Sequence, residues 1–480
     1  MWCEWSKCAL MLTLSWMLPA TEPVNQTKAA STQPADAPVL RLTLSGARPA
    51  EPALKYTLLP SMIEQTPGNA ESMLYMVNST SRGQADYQQM EGKVKSWLSA
   101  PVEELPRGEV DAWLAGLRVP LRYAELAARR EYCHWDLSLR SEGVSAELPP
   151  LADYRQVAEA LALRVRLALS ERRFEDALHD IQTGLGLGRY VGSGPTVIQT
   201  LVGVAIVDVI TDQLLNWMTT ENSPSLYWAL VNLPRPIIAK EAGLAFEREW
   251  LLIDNPALLR LEQDVLSAGE LEQILARFIE LFKMGPSARP EWKDRAAVDA
   301  LIANARPVAR QYLLARGHTK EQLDRLLPAQ VVLMHSVDRY RHWMHEQQKW
   351  MGLPYWQVVQ GLRSTEEAIQ QAEKKPEEGL FVSMLAAMGG PFNELVGLER
   401  KFTWLQFVEA IRVYAAAHEG RLPPSIEAIS EVPVPLDPVT GEQFAVRFEG
   451  GAIQGELHGP FRLWGKRQNY VRYELRPAAE

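Results

Sequence analysis

A change of pattern near residue 418 sets the expected architecture. From about Gly68 onward the chain follows an amphipathic helical rhythm that ends at Tyr414-Ala-Ala-Ala-His418. It then gives way to Gly420-Arg-Leu-Pro-Pro-Ser-Ile-Glu-Ala-Ile429, to Pro435-Leu-Asp-Pro-Val-Thr-Gly441, and to the alternating run Phe444-Ala-Val-Arg-Phe448. Apolar spacing of three and four residues marks helices, whereas strict alternation between turn-forming residues marks strands. The expected fold is therefore mainly α: an irregular α-solenoid-like helical array over residues 70–418, with a small C-terminal α+β module over 419–480.

The 480 residues are 47% hydrophobic and 23% charged, which is enough apolar content for a large core. A formal net charge of -9 gives no electrostatic reason to approach nucleic acid, whose binding rests on Lys and Arg neutralising phosphates. No nucleic-acid partner is expected.

Near the N-terminus, Cys8 to Ala20 is an apolar run with the length of a signal-peptide core and too short to span a bilayer. Cleavage after Ala20 is expected to leave an exported protein, periplasmic or associated with the cell envelope, with Cys133 as its only thiol. A single thiol makes no disulfide framework. Residues 21–38 read as a low-complexity linker that cannot bury enough surface to fold. Residues 39–69 read as an extended segment in which Val39 to Leu44 alternates as a strand would.

The clearest helix pair runs from Tyr154 to Leu169 and from Phe174 to Tyr190, with Val157, Leu161 and Val165 on one apolar face and Ala177, Ile181 and Leu185 on the other. Thr196 to Met218 is apolar almost all round and is expected inside the array, because Asp208, Asp212 and Gln213 argue against membrane insertion. Further helices are expected over 237–252, 256–266, 269–283, 292–316, 319–326, 329–350, 355–373 and 379–417. Prolines fall between or at the starts of these runs, where a missing N–H is tolerated.

Several segments carry a resemblance: Ala127-Ala-Arg-Arg-Glu-Tyr-Cys-His-Trp135, Gly184-Leu-Gly-Leu-Gly188, Pro224-Ser-Leu-Tyr-Trp-Ala-Leu230, Leu233-Pro-Arg-Pro236, Gly352-Leu-Pro-Tyr-Trp356 and Val434 to Gly441. Together they are similar to a family of exported, uncharacterised helical proteins of planctomycete-type bacteria. That resemblance implies export and a helical fold, and no activity. Separately, Gly420 to Phe448 resembles the post-helix region of type II secretion pseudopilins. The N-terminus lacks the processing motif of that family, so only a local shape is implied.

Two sets of residues are candidates for chemistry. His335, His342, His345 and Glu346, with Asp338, share about a 100° sector of one helix and form a candidate metal set. The opposite sector holds Val332, Leu333, Val337, Tyr340 and Met344, so the favoured reading is the solvated face of an amphipathic helix. Asp208 and Asp212, spaced i and i+4 on an apolar helix with Glu247 in reserve, are candidate catalytic carboxylates whose burial would separate an acid from a base. Neutralisation by a nearby arginine is the favoured alternative, with Arg164, Arg166, Arg189 and Arg248 on neighbouring expected helices.

The glycines at 184, 186, 188, 192 and 194 match no phosphate-binding loop and suit close helix packing. Cys133 beside His134 makes no dyad, because adjacent helical residues point about 100° apart. The Asp437-Pro-Val-Thr-Gly441 loop supplies too few oxygens for calcium and suits an Asx turn. No cofactor is expected.

The functional expectation is a non-enzymatic interaction or scaffold protein of the bacterial cell envelope that holds a protein or peptide partner in a concave helical face. The alternatives are a hydrolase using Asp208, Asp212 or Glu247, and a secretion-associated accessory docking through residues 419–480.

Overall fold

The computed structural model describes residues 37–81, 87–283, 292, 294–385 and 387–478. The expected signal peptide and nearly all of the linker lie outside the described residues.

The chain is mainly α-helical with a small sheet. The helices are α1 Glu71–Ser81, α2 Tyr87–Ser99, α3 Arg107–Gly116, α4 Arg118–Ala128, α5 Leu139–Glu142, α6 Leu151–Ser170, α7 Phe174–Gly192, α8 Val197–Thr219, α9 Tyr227–Val231, α10 Glu241–Asp254, α11 Ala268–Lys283, α12 Arg295–Ala315, α13 Lys320–Asp324, α14 Pro328–Gln348, α15 Tyr355–Ala372 and α16 Gly389–Ala417. The strands are β1 Val39–Leu44, β2 Thr66–Asn69, β3 Arg130–Tyr132, β4 Val446–Glu449, β5 Ala452–Leu463 and β6 Lys466–Pro477.

Among the described residues two compact units interleave along the sequence: those within 37–135, 149–243 and 392–478 form the larger, and those within 136–148 and 244–391 the smaller. This grouping cuts across the sequential order of array and C-terminal module. The cause is α16, whose body belongs with the strands that follow it.

In the larger unit a four-stranded sheet runs in the order β1-β6-β5-β4. β1 joins β6 in parallel, with Val39 opposite Arg472 and Leu44 opposite Pro477, while β6, β5 and β4 are antiparallel. The alternation of Leu40, Leu42 and Leu44 explains the pairing, since these three are buried and Arg41 and Thr43 exposed. α16 lies against this sheet: Trp404 meets Phe461 and Tyr473 edge-on with ring centres 5.9 and 5.3 Å apart, and Phe407 meets Phe444 at 5.2 Å. The helix stops where Glu419 and Gly420 take positive φ and the Gly420 N–H returns to the Ala415 carbonyl at 2.9 Å.

Helices α6 and α7 form the expected hairpin, turned by Arg172 at φ 56. α8 starts at Thr196, whose side chain accepts from the Gln199 N–H. It is long and apolar enough to cross a membrane, yet most of its surface is buried within the larger unit. It packs on α7 at the glycine run: a Cβ on Gly203 would come within 2.4 Å of the Gly192 Cα, and one on Gly188 within 2.6 Å of Val207. Close approach of two backbones is what these glycines serve.

The smaller unit has its own core around Trp250, Phe278, Trp292, Tyr340 and Phe381, with the Phe278 and Phe381 rings 4.7 Å apart. Two expected helices are corrected here. Residues 256–266 hold only the 3-10 turn Pro256–Arg260, because Ser267 and Glu270 exchange capping hydrogen bonds that start α11 afresh. Among the described residues of 379–388 the regular structure is a 3-10 turn, Val382–Met384; Gly379 sits at φ 86 and the Leu380 N–H donates to the Ser336 hydroxyl at 3.0 Å.

Candidate functional site

Asp208 and Asp212 occupy one face of α8, as their i, i+4 spacing dictates. Facing them is the amine of Lys401 on α16, 2.7 Å from Asp208 Oδ1 and 2.6 Å from Asp212 Oδ1. Arg462 on β5 brings its Nε to 3.0 Å from Asp208 Oδ2 and also pairs with Glu394. The Trp464 N–H donates to Asp212 Oδ1 at 3.3 Å. Asp208 is wholly buried and Lys401 1% exposed, whereas the Asp212 side chain keeps 13% of its surface.

Burial alone would lift Asp208, but Lys401 and Arg462 hold it below the usual carboxylate range. Asp212 has fewer cationic partners, and burial pushes it up to about 6. Lys401 is held above its ordinary value because the two carboxylates outweigh its desolvation. The expected neutralising arginines are thus corrected. Arg164 pairs with Asp180 and Glu125, and Arg248 with Glu249, while the cations that reach Asp208 come from α16 and β5. The neutralising cations come from elements some 190 to 250 residues further along the chain.

α16 carries further buried charge. Arg400 donates to Asp437 Oδ1 at 2.9 Å and to the His458 carbonyl at 2.9 Å; Glu409 accepts from Ser225 and Arg412, and Arg412 donates to Ser223 Oγ at 2.7 Å. Asp437 is therefore engaged by an arginine, and its Oδ1 also accepts the Val439 N–H at 2.9 Å in an Asx turn.

The remaining candidates fall in the smaller unit. Glu247 is half-buried on α10, and burial lifts its carboxyl to about 7. His335 corrects the expected solvated stripe: it is fully buried, 4.7 Å from the Tyr312 ring, because the first half of α14 is enclosed on most sides. His342 and His345 are exposed, and Glu346 pairs with Lys349 one turn on. No three of His335, His342, His345 and Glu346 come together, so the described residues form no metal site on this helix. In the larger unit, burial pushes the Cys133 thiol up to about 12, an inert state.

A cleft that no sequence spacing points to lies elsewhere in the larger unit. It encloses about 730 Å³ between α3, α4, α6 and α7. Leu114, Leu121 and Leu167 line its apolar part, and Glu125, Arg164, His179 and Asp180 its polar part. Arg164 holds the cluster together, donating from Nε to Asp180 Oδ2 at 3.0 Å and from Nη2 to Glu125 Oε1 at 3.0 Å. Burial would raise Glu125, but Arg164 and Arg122 bring it below the usual range. Asp180 is more deeply enclosed and burial lifts it to about 6, with Arg164 pulling the other way.

The Arg129 Nη2 lies 2.9 Å from His179 Nδ1. A guanidinium only donates, so that nitrogen must be unprotonated and the imidazole carries its proton on Nε2. Burial and the Arg129 charge both lower the His179 pKa, in agreement with a neutral ring. Glu125, His179 and Asp180 place one ligand atom each within 4.8 Å of one another, but guanidinium groups already occupy those atoms. The arrangement suits a pre-organised polar wall better than a cation cage. The sequence signal for this cluster is Asp180 itself, an acid set between Ala177 and Ile181 on the buried side of α7.

Comparison with protein-family models, with curated proteins and with solved structures returned no match.

Proposed function

We propose that this chain is an exported, non-enzymatic interaction protein of the bacterial cell envelope, and that the cleft between α3, α4, α6 and α7 receives an extended segment of its partner. One observation carries the reading: the cleft combines an apolar floor with ionic groups that are already paired and fixed, while Asp111, Arg118 and Glu175 at its rim have no ion-pair partner among the described residues. Pre-formed concave surfaces with a few fixed polar groups favour binding at low ordering cost.

The hydrolase alternative would need substrate to reach Asp208, Asp212 or Glu247, and the enclosure of Asp208 between two cations favours the binding reading instead. The secretion-associated alternative would require residues 419–480 to act as a separable module. Three strands of the sheet and the partners of Arg400 and Asp208 come from that stretch, so it belongs to the core of the larger unit.

The test compares capture from an envelope fraction by the full chain, by Ala115→Trp, which fills the cleft, and by Arg421→Glu at an exposed site outside it. A stoichiometric partner retained by the wild type and Arg421→Glu and lost with Ala115→Trp supports the reading. Equal retention by all three contradicts it.

A further inference from the structure

The grouping of Lys401, Asp208 and Asp212 has more in it than an ion pair. A primary amine lies within hydrogen-bond distance of two carboxylates, one of them wholly buried, and a backbone N–H points at the second. The geometry points to a self-catalysed isopeptide bond between Lys401 Nζ and Asp212 Cγ, tying α16 covalently to α8.

Each partner has a distinct part. Asp208, kept ionised by Arg462, is the base. Asp212 is the electrophile, since its higher pKa leaves it available as the neutral acid. Lys401 is the nucleophile once it has lost a proton. Asp208 takes one proton from the Lys401 ammonium, and the freed amine lone pair attacks Cγ of the protonated Asp212. The negative charge that develops on Oδ1 meets the Trp464 N–H. The tetrahedral adduct then gives up one nitrogen proton and breaks its bond to the second oxygen, which departs as water. The products are a neutral amide, one water and a protonated Asp208, with no change of oxidation state and no outside reagent.

The surroundings favour that outcome in two ways. Fixing amine and carboxyl side by side removes the encounter entropy that makes amide formation slow in solution. Burial works toward the uncharged amine and acid, but the two carboxylates outweigh it and hold Lys401 charged, so its deprotonation by Asp208 is the slow step that the fixed geometry must offset. The exposed edge of Asp212 gives the released water a way out. The link would close a loop of some 190 residues in a chain whose one described cysteine is free, and constraint of the unfolded chain grows with loop length.

Tryptic mapping of the folded full-length protein tests it. The expected result is a species joining residues 190–240 to residues 401–412, lighter than the two together by one water, with no cleavage after Lys401. Lys401→Arg keeps the positive charge and is expected to yield the two segments separately. Recovery of both segments unlinked and unmodified from folded wild-type protein overturns the proposal. Water loss confined to residues 190–240 also overturns it, since that marks a cyclised aspartate. In Asp208→Ala, linking after refolding is expected to slow at least tenfold, and an unchanged rate overturns the role given to Asp208.

Discussion

Lys401 shows at the scale of one residue what the buried charges do. Removing a cation from between two enclosed carboxylates leaves uncompensated charge that the interior cannot solvate. Measured against Lys401→Arg, which keeps the charge and forms no link, Lys401→Met is expected to lower unfolding free energy by about 3–5 kcal/mol, the usual range for breaking a buried pair, by urea titration at neutral pH. Titration gives a second expectation. Glu247, lifted to about 7, and Asp180, lifted to about 6, bind protons in the folded state at pH values where the unfolded chain has released them. Their contribution to stability is therefore greatest below about pH 4 and declines as pH rises through 6 to 7. Glu247→Gln removes one such burden: it should raise stability at pH 8 by about 1–2 kcal/mol, discounted for partial exposure, and leave it nearly unchanged at pH 4. A gain that is equal at both values would contradict the assignment. The sequence displayed these acids but not their partners, because Asp208 meets Lys401 and Arg462 only after some 190 to 250 residues of chain have folded back.

Among the elements, helix periodicity was legible wherever one face is apolar, as in α6, α7 and α12. The α14 histidine stripe misled because a helix enclosed on most sides has no single solvated face for a polar residue to report. The run 379–388 misled for another reason: its apolar residues suit a helix, but positive φ at Gly379 and the bond from Leu380 to Ser336 hold it as a turn. The glycine run was legible as packing, and it yields a sharp expectation. Gly203→Ala forces a methyl against the Gly192 backbone, where no flexible side chain can yield. A loss of about 3 kcal/mol is expected from such overpacking, whereas Gly92→Ala on α2, whose added Cβ would meet nothing within 4 Å, should be neutral or slightly stabilising through helix propensity. Comparison of the two urea midpoints decides it.

Across the whole molecule, the fold class was legible and the grouping of its parts was not. The sequence placed a boundary at residue 418, where helical periodicity ends. α16 is nevertheless the element on which the sheet is laid, and β1 closes that sheet from the far end of the chain. A chain ending at His418 is therefore expected to lose cooperative unfolding of the larger unit, seen as a broadened thermal transition beside the full-length protein. The cleft was invisible beforehand for a related reason: its walls come from four helices spread over residues 111–180, and no local spacing encodes their convergence. The most direct test of the cleft as the binding surface is photo-crosslinking in living cells, with a photoreactive residue at Ala115 inside the cleft or at Arg421 outside it. One discrete, envelope-derived adduct from position 115 and none from position 421 is the expected result. The same adduct from both positions, or from position 421 alone, would contradict it.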